Sequence, residues 1–287
     1  MARARPGVVY AFVAVVGVAA FAWPFWIDAP GNVGHVHDAW IWAALISVLA
    51  VAVVAIELQR TSMTAAGVAV LGVLAAMTGL FRIVDLPGGG SGMFFLLILA
   101  AAALGPRAGV LLGFAAMATG ALVTGGVGPW LPFQMLALAA IGAAAGSAGR
   151  GTRHLPPRVE IASLALFGFG AAFAYGLVIN LWDWPLRPSA GSDISFDATL
   201  SAAETARHYW RFYVTTSLAW DGAGALANAI IILVVGRKIL ASLRRIEGRI
   251  TPATRFAAID PSPTSTPTLT PTPGPGPGPG PGATVRA

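Results

Sequence analysis

The sequence contains no cysteine and few charged residues, which make up only 10% of its 287 positions. Without cysteine, the chain has no disulfide framework, no thiolate metal site and no cysteine nucleophile. A soluble domain carries about 25% charged residues, so this composition excludes an ordinary soluble enzyme. The chain also lacks a G-x-x-x-x-G-K-[ST] phosphate loop. Any coupling to ATP must therefore come from another protein.

Lysine is almost absent: of the 18 basic residues, 17 are arginine and one is Lys238. Lys238 follows the last apolar block, so we expect no retinal Schiff base buried among the helices. The basic residues occupy short segments between apolar blocks, which is typical of membrane topology and not of a nucleic-acid-binding face. Together with the many Ala and Gly residues, the arginine usage suggests a bacterial protein, which we expect in the cell membrane.

What the chain does have is long apolar blocks, and 56% of its residues are hydrophobic. A helix needs about 20 apolar residues to cross the hydrocarbon core of a bilayer. The first block is too long for a signal peptide and no convincing cleavage site follows it, so we interpret it as a span. The sequence predicts an all-α integral membrane protein with about eight spans, at 8–27, 39–56, 63–81, 92–104, 108–123, 130–148, 159–181 and 209–235.

The charges orient these spans. With a cytoplasmic N-terminus, 14 of the 18 basic residues fall in segments on the inside, whereas most acidic residues fall outside. Because basic loop residues determine orientation, this asymmetry predicts that both termini are cytoplasmic. Residues 249–287 are rich in Pro, Thr and Gly and end in a Gly-Pro repeat. They cannot form a core, and we predict a disordered cytoplasmic tail.

Polar residues within the spans are few and lie near their outer ends. Asp221 and Asn228 are two helical turns apart on nearly the same face of the last span, and Gln134 and Asn180 are the other embedded amides. Ionisable groups within a membrane point to function by default. Tryptophan and tyrosine also concentrate at the outer ends, where some anchor the chain in lipid, Trp23 among them. Others could wall an outward-facing pocket.

Small residues recur four positions apart in several spans. In lipid, such pairs allow helix backbones to approach closely, and we interpret most of them as internal packing. The pairs are Ala65/Ala69, Gly72/Ala76, Gly109/Gly113, Gly142/Gly146 and Ala172/Gly176.

An H-x-H-D motif precedes the second span on the outside, at His35, His37 and Asp38. Imidazole and carboxylate groups suit zinc or copper. Residues two apart lie on opposite faces of a helix or strand, however, and the neighbouring loop is rich in glycine. We therefore predict a solvated loop and no metal site. The alternative is a polytopic membrane enzyme that uses Asp28 and this motif at its outer face.

Three stretches resemble the S component of energy-coupling factor (ECF) vitamin transporters. They are Ala-Ala-Leu-Gly-Pro-Arg-Ala-Gly-Val-Leu-Leu-Gly at 102–113, Gly-Gly-Val-Gly-Pro-Trp-Leu-Pro-Phe-Gln-Met-Leu at 125–136 and Trp-Asp-Gly-Ala-Gly-Ala-Leu-Ala-Asn-Ala-Ile at 220–230. The resemblance covers about 180 residues. It implies a six-helix substrate-binding bundle over 61–248, preceded by two additional transmembrane helices in 1–60.

The resemblance also implies function and partners. S components bind a micronutrient from outside and act with a transmembrane T component and two cytoplasmic ATPases. The chain itself would then hold no cofactor and catalyse no reaction, since ATP is used by the partners. The family docks its T component through an Ala-x-x-x-Ala motif on the first core helix, which falls here on Ala65 and Ala69.

A pocket closed by the segments 82–92, 124–131 and 182–210 would hold the substrate. A corrinoid such as cobalamin is the first candidate, because 182–210 is long enough to cover a large ligand. Thiamine or its pyrimidine precursor, riboflavin, biotin and queuosine precursors remain open, as does a structural assembly subunit without any ligand. Arg82 and Asp85 could equally form an ion pair within their loop. The predicted substrate-binding residues are Arg82, Asp85, Trp130, Gln134, Asn180, Trp182, Asp183, Trp210, Asp221 and Asn228.

Overall fold

Residues 15–25, 34–60, 64–86, 90–187 and 193–250 are described by the structure, a computed structural model. Helix α1 comprises the helical residues 15–21, and short 3-10 turns occupy Trp23–Phe25 and Trp184–Leu186. Two-residue strands, β1 (Asp85–Leu86) and β2 (Gly90–Ser91), pair antiparallel. The other helices are α2 (Gly34–Arg60), α3 (Ala65–Leu80), α4 (Met93–Leu104), α5 (Pro106–Thr124), α6 (Leu131–Thr152), α7 (Pro157–Asp183), α8 (Ala202–Thr216) and α9 (Leu218–Ile250).

Helix α4 is the centre of the bundle. Its sequence has no polar side chain, and Met93 to Ala103 are all buried. A helix that is apolar on every side belongs in a core, and α4 contacts α3, α5, α6, α7 and α9. The first half of α4, up to Leu99, consists of large residues, and the second half consists mostly of alanines, such as Ala102. The neighbouring helices can therefore approach most closely at the second half.

Glycine contacts hold α5 and α6 together. A Cβ atom on Gly109 would overlap the backbone of Gly142, and one on Gly113 would overlap the backbone at Ala139. Further along α6, Gly146 lies against the backbone of Pro106. These close approaches confirm the interpretation of the Gly109/Gly113 and Gly142/Gly146 pairs as internal packing.

Contacts between helix ends define two ends of the bundle. Arg82 after α3 reaches Gln134 in the first turns of α6, and Asn180 near the end of α7 reaches Ser217 just before α9. We call this the outer end, following the predicted orientation. At the opposite, inner end, Glu160 at the start of α7 pairs with Arg244 late in α9.

The two N-terminal helices pack on one side of this bundle. Side chains of α1 and α2, including Ala20, Ile46 and Ala50, form a buried cluster with Phe114 of α5 and Phe133 of α6. Near the inner end, the Nε atom of Arg107 lies 3.9 Å from Oε2 of Glu57, which is almost fully buried. The N-terminal helices therefore form an additional layer against α5 and α6.

The structure corrects two boundaries. Helix α2 begins at Gly34 rather than at residue 39, so the H-x-H-D motif lies on helical backbone and not in a loop. The span predicted at 209–235 is in fact two helices, because α8 ends at Thr216 and α9 begins at Leu218. Of these two helices, α9 is apolar enough to cross a membrane, whereas α8 is amphipathic. The segment 182–210 is therefore not one long loop, since α8 occupies its last third.

By length and composition, four helices of the described residues could cross a membrane: Pro106–Thr124, Leu131–Thr152, Pro157–Leu186 and Leu218–Gly248. Shorter apolar helices are Ala43–Leu58, Ala65–Leu80 and Met93–Leu104. Residues 251–287, which form most of the predicted tail, lie outside the described residues.

Candidate functional site

Arg82 is fixed at the outer end between α5 and α6. Its Nη1 atom lies 2.9 Å from the Sδ atom of Met117, and Nη2 donates a hydrogen bond to Oε1 of Gln134 over 3.2 Å. A Cβ atom on Gly120 would lie 3.1 Å from Cδ of Arg82, so the stem of the arginine packs against the α5 backbone. The structure thus brings together two of the predicted binding residues, Arg82 and Gln134, with Met117 as an unpredicted third.

Asn228 connects the centre of α9 to the turn that precedes α4. Its Oδ1 atom accepts a hydrogen bond from the backbone N–H of Phe95, and its Nδ2 atom donates to the carbonyl of Ser91. Asn228 is buried, and these hydrogen bonds occupy its amide. Of the predicted residue Asp85, the structure describes only the backbone, which pairs in register with Ser91.

A second polar group lies where α7, α8 and α9 meet. The hydroxyl of Ser217 donates to Oδ1 of Asn180 over 3.2 Å, and the Asp221 carboxylate lies against the backbone of Gly176. The Tyr213 hydroxyl faces this carboxylate, yet neither that hydroxyl nor Oδ2 of Asp221 has a hydrogen bond of good geometry. Burial and the Asp221 carboxylate raise the pKa of Tyr213 above its usual value, so the phenol keeps its proton.

Helix α8 covers this second group. It begins with a capping box between Ser201 and Glu204, which satisfies the orphan N–H groups of its first turn. Its apolar face contributes Tyr209, Phe212 and Tyr213 to a buried aromatic cluster with Trp184. The opposite face is exposed, including Trp210, which contacts Tyr213 at its edge.

The remaining predicted residues have different surroundings. Trp182 is fully buried and stacks at 4.5 Å on Phe133, and its carbonyl accepts a hydrogen bond from Nε1 of Trp23. Trp23 is itself buried, which corrects its assignment as a lipid anchor. Asp183 forms an ion pair with Arg187 one turn away. Trp130 is 40% exposed and leans on the backbone of Gly128.

An apolar cavity lies between the N-terminal helices and the bundle. It has a volume of about 630 Å³, and its walls include Phe21, Val53, Phe114 and Tyr175. A cavity of about 650 Å³ follows the neighbouring crevice between α6 and α7. None of the ten predicted binding residues lines either cavity, so these cavities do not coincide with the predicted site.

The structure describes some of the residues that the sequence analysis considered for partner docking or for metal binding. Ala65 and Ala69 are exposed on α3, and a Cβ atom on Gly72 would meet nothing within 4 Å. This face therefore has no packing partner among the described residues. Asp28 lies outside the described residues, and the side chains of the H-x-H-D motif are not described. Among the described side chains, no three His, Cys, Asp or Glu residues lie close enough together to hold a metal ion.

Sequence reasoning missed the contribution of Met117 and the contact between Tyr213 and Asp221. Met117 is an apolar position in a long span, and only the helix packing brings it to Arg82. Ser217 and Asp221 are four residues apart, and the backbone N–H of Asp221 donates to the Ser217 carbonyl at the start of α9. Nothing in the sequence indicated that Tyr213 belongs to a separate helix that folds back over this pair.

Comparison with known families matches residues 66–236 to the ECF transporter, substrate-specific component family. The match runs from the first turn of α3 to Gly236 in α9 and covers more than half of the chain. Comparison with curated proteins and with solved structures finds no match. The match confirms the resemblance at the level of the family and leaves α1 and α2 outside it. The chain therefore belongs to the family of ECF transporter substrate-specific components, and it is a membrane-embedded transporter subunit rather than an enzyme.

Proposed function

We propose that this protein captures a vitamin or related micronutrient at its outer end and delivers it through a T component driven by two ATPases. The family match carries the proposal, because substrate-specific components are the substrate-binding subunits of ECF transporters. The distribution of polar groups supports it. The half-buried side chains of Arg82, Gln134, Asn180 and Asp221 all lie at the outer end.

The binding site we propose includes the arginine group at α5 and α6 and the aspartate group under α8. Arg82 has donors beyond the two that contact Met117 and Gln134, since a guanidinium carries five N–H groups. Asp221 has a buried oxygen without a good hydrogen bond. Buried polar atoms normally have partners, and a ligand that supplies them gains specificity.

Access to the aspartate group would require α8 to move. This helix packs on the bundle mainly through its aromatic face, and a stretch of irregular chain at 193–200 precedes it. Outward movement of α8 would open Asp221 and Asn180 to the outside. Binding would then order α8 again, because the ligand would replace water at both groups.

A corrinoid remains the first candidate from the sequence. Helix α8 occupies part of the segment whose apparent length suggested so large a ligand. The binding test therefore includes thiamine, riboflavin and biotin as well as cobalamin, and gives none of them preference. All are recognised through a few polar groups on a large apolar or aromatic body, which suits the mixed surroundings at the outer end.

The test uses the purified full-length chain from a vitamin-replete host. Native mass spectrometry and visible absorbance identify any bound molecule, and calorimetry measures its affinity. We expect Asp221→Asn to weaken binding at least tenfold. Asp193→Asn should leave it unchanged, because Asp193 is exposed and only loosely paired with Arg211.

Two results would contradict this proposal. Equal affinity of Asp221→Asn and the unchanged chain would remove Asp221 from the site. Absence of any bound molecule, together with no binding of cobalamin, thiamine, riboflavin or biotin, would favour the structural assembly subunit instead.

We further propose that Ala65 and Ala69 form the docking face for the T component. Both are exposed, and the open surface at Gly72 continues this face by a further turn. Small exposed residues allow a second helix to approach closely. Ala69→Leu should therefore leave the isolated chain folded but prevent its co-purification with the T component. Ala162→Leu, at an exposed alanine of α7, is the matched control. Unchanged co-purification of Ala69→Leu would overturn this assignment.

A further inference from the structure

Helix α9 continues well beyond the hydrocarbon core. Its 33 residues correspond to about 50 Å, whereas the core of a bilayer is about 30 Å thick. Counted from Leu218 at the outer end, about 20 residues cross the core, and Arg237 and Lys238 follow directly. These two cations therefore lie at the level of the lipid headgroups on the inner side.

The exposed apolar face of α9 leads into these cations. Leu226, Ile230, Leu233 and Arg237 are spaced by four, three and four residues, so they form one exposed stripe. A neighbouring exposed stripe follows the same spacing and ends in basic residues. Its members are Val234, Lys238, Ala241 and Arg245. A surface that faces acyl chains thus ends in three exposed positive charges.

A fourth cation lies on the adjoining helix. Gly168 of α7 is in contact range of Ile232, and Ile161 of α7 is in contact range of Gly236, so α7 runs antiparallel to α9 at close distance. Arg158 precedes Ile161 by three residues and is exposed. It therefore lies at a depth just below that of Arg237.

The acidic residues at this end do not neutralise these four cations. Both carboxylate oxygens of Glu160 accept hydrogen bonds from Arg244, and Glu247 pairs with Arg153 over 2.6 Å. Among the side chains that the structure describes, no carboxylate lies within 4 Å of Arg158, Arg237, Lys238 or Arg245. Among the described residues, no acidic side chain compensates their charges at the membrane surface.

We propose that Arg158, Arg237, Lys238 and Arg245 form a binding site for an anionic phospholipid of the inner leaflet. The acyl chains would lie along the apolar stripes of α9, and the phosphate would accept hydrogen bonds from the guanidinium and ammonium groups. Basic clusters next to a transmembrane helix attract anionic lipids. The small residue Ala241, between Arg237 and Arg245 on one face, leaves room for the headgroup. This site does not depend on the proposed transport function.

The test uses the full chain in detergent with added phosphatidylglycerol or phosphatidylcholine, which differ in headgroup charge. Native mass spectrometry counts bound lipid, and thermal unfolding measures the stabilisation. We expect about a tenfold preference for phosphatidylglycerol. The triple variant R237Q/K238Q/R245Q should reduce this preference below about twofold, whereas R237K/R245K, which keeps the charges, should retain most of it. The preference should fall with added salt, because salt screens exposed charges.

The matched control is R207Q/R211Q, which removes two exposed cations from α8 at the other end of the molecule. It should keep the lipid preference. An unchanged preference in the triple variant, or an equal loss in the control, would overturn the proposal. So would displacement of the lipid by millimolar inorganic phosphate, which would indicate a site for a free anion. Loss of ATPase or T-component binding in the triple variant, with lipid preference unchanged, would assign the cations to a protein partner instead.

Discussion

The inner and outer halves of the bundle are held together in different ways. At the inner half, glycine and alanine bring backbones into direct contact, as at Gly149 and Ala102. Glu160 pairs with Arg244 of α9, and Glu247 pairs with Arg153 just after α6. At the outer half, Gly79 also meets the backbone of α5, but aromatic rings and half-buried polar groups lie between the other helices. Buried polar atoms without good hydrogen bonds occur at both ends, on Tyr213 and Asp221 at the outer end and on Arg244 at the inner end. The comparison indicates an inner end closed by backbone contacts and paired charges, and an outer end that offers half-buried polar groups.

The largest effect should come from disturbing the close contact between α5 and α6. In Gly142→Leu, the new side chain would overlap the backbone carbonyl of Gly109, and no flexible group is there to move aside. Overpacking of this kind costs about 3 kcal/mol or more, and we expect little folded protein. Yield of the monodisperse species in size-exclusion chromatography measures the loss.

Gly170→Leu is the control for this variant, because a Cβ atom on Gly170 meets nothing within 4 Å. It should give folded protein in normal yield. Similar yields for Gly142→Leu and Gly170→Leu would refute the close packing of α5 and α6.

A smaller loss of stability is expected when an ion pair is broken, and the loss should differ between the two ends of the bundle. Glu160→Gln removes the charge from a carboxylate that is 5% exposed and leaves Arg244 partly buried without a counter-ion, at a cost of about 3 kcal/mol. Asp183→Asn breaks an exposed pair with Arg187 and should cost less than about 1 kcal/mol. Thermal unfolding in detergent compares the two variants. Equal shifts in the unfolding temperature would contradict the proposed difference between the ends.

The smallest effect should be a loosening of α8 at acid pH. Hydrogen bonds from the Ser201 side chain and backbone lower the pKa of Glu204 below its usual value. The capping interaction is therefore fully present above the unfolded pKa of about 4.3 and is lost as the pH falls through the folded value. Hydrogen exchange of the α8 amides between pH 3 and pH 6 should show faster opening at the acid end.

Glu204→Gln is the control for this pH dependence, since glutamine still accepts a hydrogen bond but does not titrate. The variant should show a weaker pH dependence of exchange in α8. The remaining dependence would come from Asp197, whose pKa is lowered by hydrogen bonds from Thr199. An identical pH dependence in the variant would exclude Glu204 as its source.

Much of the helical architecture was predictable because apolar blocks, Pro and Gly mark the helices directly. Pro106 begins α5 directly after Gly105, which adopts a φ of 92° that suits glycine, and the predicted spans 92–104 and 108–123 lie on either side of this turn. The last predicted span was wrong because a 3.6-residue pattern of aromatics in α8 merges with the apolar start of α9. Only the break at Ser217, with its irregular backbone, separates them.

The candidate site was predictable only as a set of residue types. Gln134, Asn180 and Asp221 were candidates because embedded polar groups are costly in a membrane, whereas Arg82 was a candidate through the loops that the family resemblance implied. Their neighbours were not predictable, since they come from helices far apart in sequence. Trp182 shows that residue type does not determine surroundings. Tryptophan is a residue type expected in a pocket, but Trp182 packs against Phe133 and Trp23 in the interface with the N-terminal helices.

The sequence by itself determined that this chain is a helical membrane protein, because hydropathy acts locally and needs no tertiary contact; the distribution of loop charges predicts which side is the inner one. The family match follows from the same local patterns over residues 66–236. The tertiary structure decided which small residues form contacts and which stay exposed, as at Gly142 and Ala69. It also decided which acids are paired and that α8 covers Asp221. Packing and pairing depend on the distance between helices, and that distance is set by all of their side chains together.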